Sequence, residues 1–218
     1  MAEISAAVVK ELRERTGAGI VDCKQALSEC DGDMDKATEY LRKKGLASAA
    51  KRAGRIASEG LIESYVHLGG RIGVLLEVNC ETDFVAKNPE FKTLCHDLTM
   101  QIAAANPQWV NKEDVPADAV AKEKEIAEAK ARQEGKPDKV IPKIAEGAVT
   151  KWMKDVVLLE QPFVKDPSKN VDTLVKELSS KIGEKIAIRR FVRYEVGEGL
   201  EKRTHDIAAE VAKEIASA

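Results

Sequence analysis

A stretch that changes its periodicity in the middle constrains the fold of this 218-residue chain more than any other. From position 72 to position 79 hydrophobic residues recur at every second position, which is typical of a β-strand with one buried face. The alternation stops at Cys80, and it is followed by Thr82 and Asp83, two residue types that form caps and turns. Asn88-Pro89 then carries the signals for the start of a helix. The sequence therefore predicts a strand, a short turn and a helix, one directly after the other.

The turn also contains Phe84, and this aromatic residue allows two interpretations. In the first, Phe84 is a hydrophobic plug that closes the protein core, since burying such a side chain gains about 1.5–3 kcal/mol. In the second, Phe84 is an exposed anchor directed at a partner. The energetics of burial alone favour the plug.

Composition and charge exclude several classes of protein. Charged residues make up 33% of the chain and hydrophobic residues 44%, as in a soluble globular protein. The net charge of −2 argues against direct binding of nucleic acid, which usually requires a basic excess. We expect no membrane contact, because the chain has neither an apolar run of spanning length nor an N-terminal signal segment. The four cysteines form no C-x-x-C pair and are predicted to be reduced core thiols of a cytoplasmic protein.

The sequence contains no convincing catalytic or metal-binding pattern. Its three histidines lack the spacing of metal ligands, and no nucleophile elbow or complete phosphate-binding loop occurs. Thr16-Gly17-Ala18-Gly19 is glycine-rich, but no strand precedes it, so a tight turn between helices is the favoured interpretation. We therefore predict a binding protein that is not an enzyme and that needs neither a cofactor nor a metal.

Periodicity divides the chain into segments and predicts an α+β fold. Helical spacing in the first segment indicates three short helices, the last of them ended by Gly45. The predicted segments are a three-helix domain at 1–45, a basic linker at 46–57, a core of antiparallel sheet and helices at 58–199 with a helical hairpin insertion at 111–161, and a C-terminal helical module at 200–218.

The second half of the core is predicted from local signals. Asp166-Pro167-Ser168 indicates a turn, and a helix that ends at Gly183 follows it. The strand at 185–196 alternates, which predicts one side formed by Ile186, Ile188, Val192, Tyr194 and Val196. Arg189, Arg190 and Arg193 belong to a half-solvated edge strand in one interpretation and to a contact with RNA or an acidic partner in the other.

Two motifs in this chain resemble the signatures of the bacterial translation elongation factor Ts family. One spans residues 77–87 and reads Glu-Val-Asn-Cys-Glu-Thr-Asp-Phe-Val-Ala-Lys. The other lies upstream and consists of Leu12-Arg13, Thr16-Gly17, Gly19-Ile20, Asp22, Lys24 and Ala26-Leu27. The resemblance continues through the segment at 194–199 and so covers nearly the whole chain.

This resemblance implies a function and a set of contact residues. Members of the family exchange the nucleotide of elongation factor Tu, the GTPase that carries aminoacyl-tRNA. The first segment then resembles a ubiquitin-associated three-helix module that docks on the nucleotide-binding domain of elongation factor Tu through Gly19, Ile20, Val21 and Lys24. The residues that would contact the GTPase and dislocate its Mg²⁺ ion are Thr82, Asp83, Phe84 and Val85.

The resemblance leaves several alternatives open. The hairpin either packs on its own core or projects as a coiled coil for self-association or partner contact, and the C-terminal module would clasp the partner. Longer family members carry two copies of the sheet-and-helix unit, whereas this chain has one clear copy at 60–106, so either a single chain or a homodimer is the active form. An adaptor without exchange activity and an RNA-binding ribosomal accessory protein are the competing functions.

Overall fold

The fold is described by a computed structural model that covers residues 4–201. The N-terminal helices are α1 (Ala6–Thr16), α2 (Ile20–Glu29) and α3 (Met34–Arg52). The central elements are β1 (Glu59–Val66), β2 (Ile72–Cys80), α4 (Asp83–Ala86) and α5 (Pro89–Ala105). They are followed by α6 (Ala117–Gln133), α7 (Ile141–Val156), β3 (Pro162–Phe163), β4 (Asp166–Asn170), α8 (Val171–Ile182) and β5 (Ile186–Glu195). The predicted module at 200–218 lies, except for its first two residues, outside the described residues.

The first three helices enclose a small core of their own. Leu12, Cys23 and Leu27 are fully buried there, and Asp33 caps α3 by accepting from the backbone N–H of Lys36 at 3.0 Å. The prediction that Gly45 ends the third helix is wrong, because α3 continues through the predicted linker to Arg52. A Cβ at position 45 would lie 2.5 Å from Ser180 Oγ of α8. The glycine therefore permits close packing of two helices instead of terminating one.

The core sheet has three antiparallel strands in the order β1-β2-β5. Helices α5 and α8 cover one face, where Val74, Leu76 and Val78 of β2 pack with Phe91 and Val171. The opposite surface, here called the outer sheet face, consists of the exposed side chains Ile62, Val66, Leu75, Val192 and Tyr194. The predicted α+β class with an antiparallel core is thus confirmed.

One strand departs from its predicted alternation. The register between β2 and β5 shifts at Glu77/Val78, so that Arg189 is an extra residue between Ile188 and Arg190. Beyond this β-bulge every side chain exchanges faces. Ile186 and Ile188 are on the core side, but Val192 and Tyr194, which were predicted to share that side, are on the outer sheet face, and Phe191 and Arg193 replace them inside. Single-strand periodicity cannot reveal a shift that depends on the partner strand.

A second local prediction also fails. Asp166-Pro167-Ser168 is not a turn but part of β4, which pairs with β3 across the two residues Val164 and Lys165. Asp166 Oδ1 accepts from the N–H of Ser168 at 3.2 Å, the bond that makes such a sequence resemble a turn. Here that bond forms within a short strand of a two-stranded sheet.

The insertion is an antiparallel helical hairpin, as predicted. Its two helices pack on each other through the buried side chains of Ala127, Ala131, Ile141 and Ala145. The base of the hairpin is joined to the core by the bond from the Leu158 N–H to the Trp109 carbonyl, 2.8 Å long, and Trp109 stacks edge-on with Trp152. None of the helices in residues 4–201 combines the length and apolarity needed to cross a bilayer.

Candidate partner-binding site

The four predicted contact residues after β2 are here called the tip (residues 82–85). Thr82 is the N-cap of the short helix α4, and the other three residues lie within that helix. Thr82 has an extended backbone and caps α4, with its hydroxyl accepting from the N–H of Val85 at 3.4 Å. Val85 is buried among Leu94, Leu98 and the other apolar side chains of the main core. The last residue of the tip is therefore anchored in the core, and the first residue is bonded to the last.

Phe84 points away from that core. Its side chain is 80% exposed, although the adjacent Val85 is buried. The interpretation of Phe84 as a plug for its own core is therefore wrong. An exposed aromatic ring on a well-anchored turn has the properties of an interface anchor, because it can bury a large area on binding while losing few rotamers.

Asp83 adds a negative charge beside the ring. Lys87 Nζ donates to Asp83 Oδ2 at 2.6 Å, and this hydrogen bond holds the pKa of Asp83 below its ordinary value. Because its pKa is lowered, the carboxylate is ionised at neutral pH. It is also half exposed, so it is available as a hydrogen-bond acceptor. The tip thus presents an apolar ring and an anionic group side by side.

Sequence reasoning did not identify Glu184, which contacts the tip from the other end of the chain. Its Oε1 accepts from the Thr82 hydroxyl at 2.7 Å. Position 184 directly follows the glycine that ends α8, and no local pattern marks it as a partner for residue 82. Only the antiparallel pairing of β2 with β5 brings the two segments together.

The predicted N-terminal contact residues lie at the start of α2. Gly19 is the residue that precedes the helix, and Ile20 and Val21 are exposed in its first turn. Lys24 is one turn further along and is also exposed. Exposed apolar side chains next to a cation form a surface that can dock on another protein.

A groove of about 650 Å³ lies between the three-helix bundle and the core. Its lining includes Gly19 and Asp22 on the bundle side and Glu90 and Lys181 on the core side. Lys181 donates to Glu90, in the first turn of α5, at 2.7 Å. The groove thus adjoins the predicted N-terminal surface through Gly19, but Ile20, Val21 and Lys24 do not line it, and neither does any residue of the tip.

The arginines that motivated an RNA contact have partners within the chain. Arg189 and Arg190 both bond to the carboxylate of Glu77, at 2.9 and 2.7 Å, and hold its pKa below the ordinary value, with Arg190 contributing most. Arg193 is only 8% exposed in its side chain and donates to the Ala103 carbonyl. Glu77 therefore offsets one of the two exposed arginine charges, and Arg193 is directed into the body of the protein.

The described residues offer no metal centre of their own. In residues 4–201 no group of three or more histidine, cysteine or acidic side chains is arranged to hold an ion. All four cysteines are free thiols, and burial raises the pKa of Cys80 to about 11 and that of Cys95 to about 12. Cys23, Cys80 and Cys95 are buried in the two cores, as the sequence predicted, whereas Cys30 is only partly buried against the bundle core.

Comparison with known proteins matches the sequence of this chain to one family. Residues 35–198 match the sequence model described as elongation factor TS. The chain is 64% identical to elongation factor Ts of Desulforamulus reducens over 215 residues, which are 99% of each chain. It is 61% identical to elongation factor Ts of Carboxydothermus hydrogenoformans over 96% of each chain, and 58% identical to that of Heliobacterium modesticaldum over 97% of this chain and 99% of the relative. The protein therefore belongs to the elongation factor Ts family.

Proposed function

We propose that this protein binds elongation factor Tu in its GDP form and accelerates the exchange of GDP for GTP. Membership of the family makes it a factor of protein biosynthesis. The observation that supports a role in nucleotide exchange is made at the tip. There the Phe84 side chain is 80% exposed, while the next residue, Val85, is anchored in the core. Such a ring is suited to enter a partner.

The physical basis of exchange is reciprocal linkage. If the protein binds nucleotide-free GTPase more tightly than the GDP form, GDP binds the complex more weakly by the same factor. Guanine nucleotides are held largely through their phosphates and a Mg²⁺ ion, which requires nearly ideal octahedral geometry. A small displacement of the elements that support the ion therefore weakens the bound nucleotide.

Each contact residue has a distinct role in the proposal. Phe84 is the wedge that inserts between side chains of elongation factor Tu, and Asp83 accepts hydrogen bonds there or repels the hydration shell of the metal. Thr82 and Val85 hold the conformation of the tip. The first turn of α2 provides the second contact, with the nucleotide-binding domain, through Gly19, Ile20, Val21 and Lys24.

The test is the rate at which fluorescent GDP leaves elongation factor Tu, measured by stopped flow with and without this protein. Phe84→Ala is expected to slow the stimulated release at saturating factor by at least about tenfold, equivalent to 1.4 kcal/mol. The exposed ring contributes little to the fold, so the variant keeps the wild-type circular dichroism. Ile56→Ala, which removes an exposed apolar side chain outside the tip, is the matched control and leaves the rate unchanged.

An unchanged release rate for folded Phe84→Ala would exclude the wedge. A wild-type protein that binds elongation factor Tu without accelerating release would instead be an adaptor that uses its three-helix bundle for binding alone. The same measurement therefore separates the two functions.

A second copy of this chain is a further proposed partner. The support is the outer sheet face, whose apolar side chains are exposed, in a chain with one clear sheet-and-helix unit where longer family members carry two. We also propose a cytoplasmic location, because the proposed partner carries aminoacyl-tRNA. Neither nucleic acid nor a membrane is a partner in this proposal.

A further inference from the structure

We infer that Glu184 is a positioning residue that fixes the direction of the Phe84 wedge, an inference that rests on the proposed function of the tip. Glu184 does not belong to either motif that resembles the family signatures. Its position in the structure nevertheless connects the last helix of the core to the first residue of the tip.

The carboxylate of Glu184 accepts three hydrogen bonds at the end of β2. Oε2 accepts from the N–H groups of Glu81 and Thr82, at 3.1 and 3.0 Å, and Oε1 accepts from the Thr82 hydroxyl at 2.7 Å. The ladder between β2 and β5 ends at the pair Cys80 and Ile186, just before these two N–H groups. The Glu184 side chain thus provides a hydrogen-bond acceptor for two backbone N–H groups that lie beyond the last pair of the sheet.

Glu184 is itself held in place on both sides. Ser179 Oγ donates to the Glu184 carbonyl at 2.6 Å, across the glycine that ends α8 in the left-handed conformation. In return, Glu81 Oε1 accepts from the N–H of Lys185 at 2.6 Å. Each carboxylate therefore binds backbone N–H of the other segment, which fixes the segment at 81–82 against the segment at 184–185.

These contacts determine where Phe84 points. The ring is too exposed for its own packing to set its direction, so its orientation depends on the start of α4. Thr82 controls that start, because its hydroxyl donates to Glu184 and accepts from the N–H of Val85. An anchor that is already oriented before binding loses less entropy on binding and meets the partner in one geometry.

The test measures stimulated GDP release as a function of the concentration of this protein. Glu184→Ala is expected to reduce the maximal release rate by about fivefold to tenfold, because the wedge enters in fewer productive orientations. The concentration that gives half of the maximal effect should change by less than about twofold, since docking through Ile20, Val21 and Lys24 is intact. Substitution of a residue that only stabilised the fold would change circular dichroism and thermal melting. It would not lower the maximal release rate while leaving the half-maximal concentration unchanged.

Two further variants make the test specific. Glu184→Gln keeps an oxygen acceptor for the two backbone N–H groups and an N–H donor for the Thr82 hydroxyl, so it should retain the rate to within about twofold. Glu177→Ala removes a carboxylate of α8, the helix that precedes Glu184; this carboxylate bonds to Lys169 and not to the tip, so the variant should leave the rate unchanged. Glu184→Asp, which keeps the charge but withdraws it by one methylene, is expected to be slow and replaces Glu184→Ala should that variant not fold.

A double-mutant cycle separates this inference from the proposed function. If Glu184 acts only through the wedge, adding Glu184→Ala to Phe84→Ala slows release by less than about twofold further. Additive effects, or a wild-type rate for Glu184→Ala alongside a slow Phe84→Ala, would overturn the positioning role and leave the wedge intact. A wild-type rate for Phe84→Ala would overturn the wedge, and with it the role assigned to Glu184.

Discussion

At the scale of single residues, the segment after β2 is held by hydrogen bonds to the charged side chain of Glu81. Glu81 Oε1 accepts from the N–H of Lys185 at 2.6 Å and from Arg55 Nη1 at 3.3 Å. The backbone N–H of Lys185 is the larger cause, and together these donors hold the pKa of Glu81 below its ordinary value of 4.5. The ionised form of this carboxylate is therefore the one that the folded state stabilises.

This arrangement predicts how stability depends on pH. A carboxyl group whose pKa is lower in the folded state contributes stability above pH 4.5, and the contribution is lost as the pH falls through the folded-state pKa. Glu81→Gln is therefore expected to lower the free energy of unfolding at pH 7, and the difference from wild type should shrink progressively below pH 4.5. Urea unfolding at a series of pH values between 7 and 3 measures this difference.

The control for this experiment is Glu125→Gln, which neutralises an exposed carboxylate of α6 far along the chain from the tip. Its difference from wild type should be small at every pH. A Glu81→Gln difference that stayed constant down to pH 3 would show that the lost stability comes from packing and not from the ionised group.

The residues of the tip show how far local sequence signals reach. The caps Thr82 and Asn88 and the buried Val85 act over a few positions, so the sequence was sufficient to predict a strand end, a turn and a helix start. It did not predict that Asp83–Ala86 forms a helical turn of its own or that Glu184, about a hundred positions away, bonds to Thr82. Such contacts depend on which strands pair, and no local pattern encodes that.

At the scale of elements, the same residue type has different meanings in different contexts. Gly45 has the neighbours of a helix stop, but it lies within α3, where that helix crosses α8. Gly147 lies within α7, and a Cβ built there meets no atom within 4 Å. One glycine permits close packing of two helices, while the other only weakens the helix that contains it.

Substitution of these two glycines by alanine should give opposite results. Gly147→Ala is expected to stabilise the protein by up to about 1 kcal/mol through helix propensity, a rise in Tm of about 2–4 °C. Gly45→Ala gains the same propensity but places its Cβ 2.5 Å from Ser180 Oγ, and overpacking typically costs about 1–3 kcal/mol. Its Tm should therefore be equal to or lower than that of wild type in calorimetry.

The relief of this contact can be measured directly. Ser180→Gly removes the hydroxymethyl group that a Cβ at position 45 would meet, so Gly45→Ala should be less destabilising in that background. A rise in Tm for Gly45→Ala that matches Gly147→Ala would mean that α3 and α8 do not pack this closely.

At the scale of the whole molecule, the sequence predicted the class and order of elements but not which surfaces remain open. Apolar alternation identified β2 and helical spacing identified α5, α7 and α8, because each of these patterns is local. The bulge at Arg189 depends on pairing with β2, more than a hundred positions earlier, and it moves Val192 and Tyr194 to the outside. The shift therefore adds these two side chains to the outer sheet face, whose other members come from β1 and β2.

The outer sheet face leads to a prediction about assembly. Leu75 and Val192 are opposite each other in the register of β2 and β5, at the centre of this face. If two chains pack through it, wild-type protein at about 10–100 µM sediments with twice the 23.8 kDa mass of one chain. Leu75→Lys should weaken the dimer by at least about tenfold, since it buries an unpaired charge against apolar side chains.

The control for assembly is Ile126→Lys, which makes the same kind of change at an exposed position of α6 and should leave the dimer intact. The bundle core does not include Leu75, so a folded Leu75→Lys monomer retains the first turn of α2, the proposed contact for elongation factor Tu. Comparing GDP release by this monomer with release by the wild-type dimer then shows whether one tip is enough. A wild-type protein that sediments as a monomer at about 10–100 µM would exclude the outer sheet face as a dimer interface. Its apolar side chains would then remain in water at concentrations at which a specific interface associates.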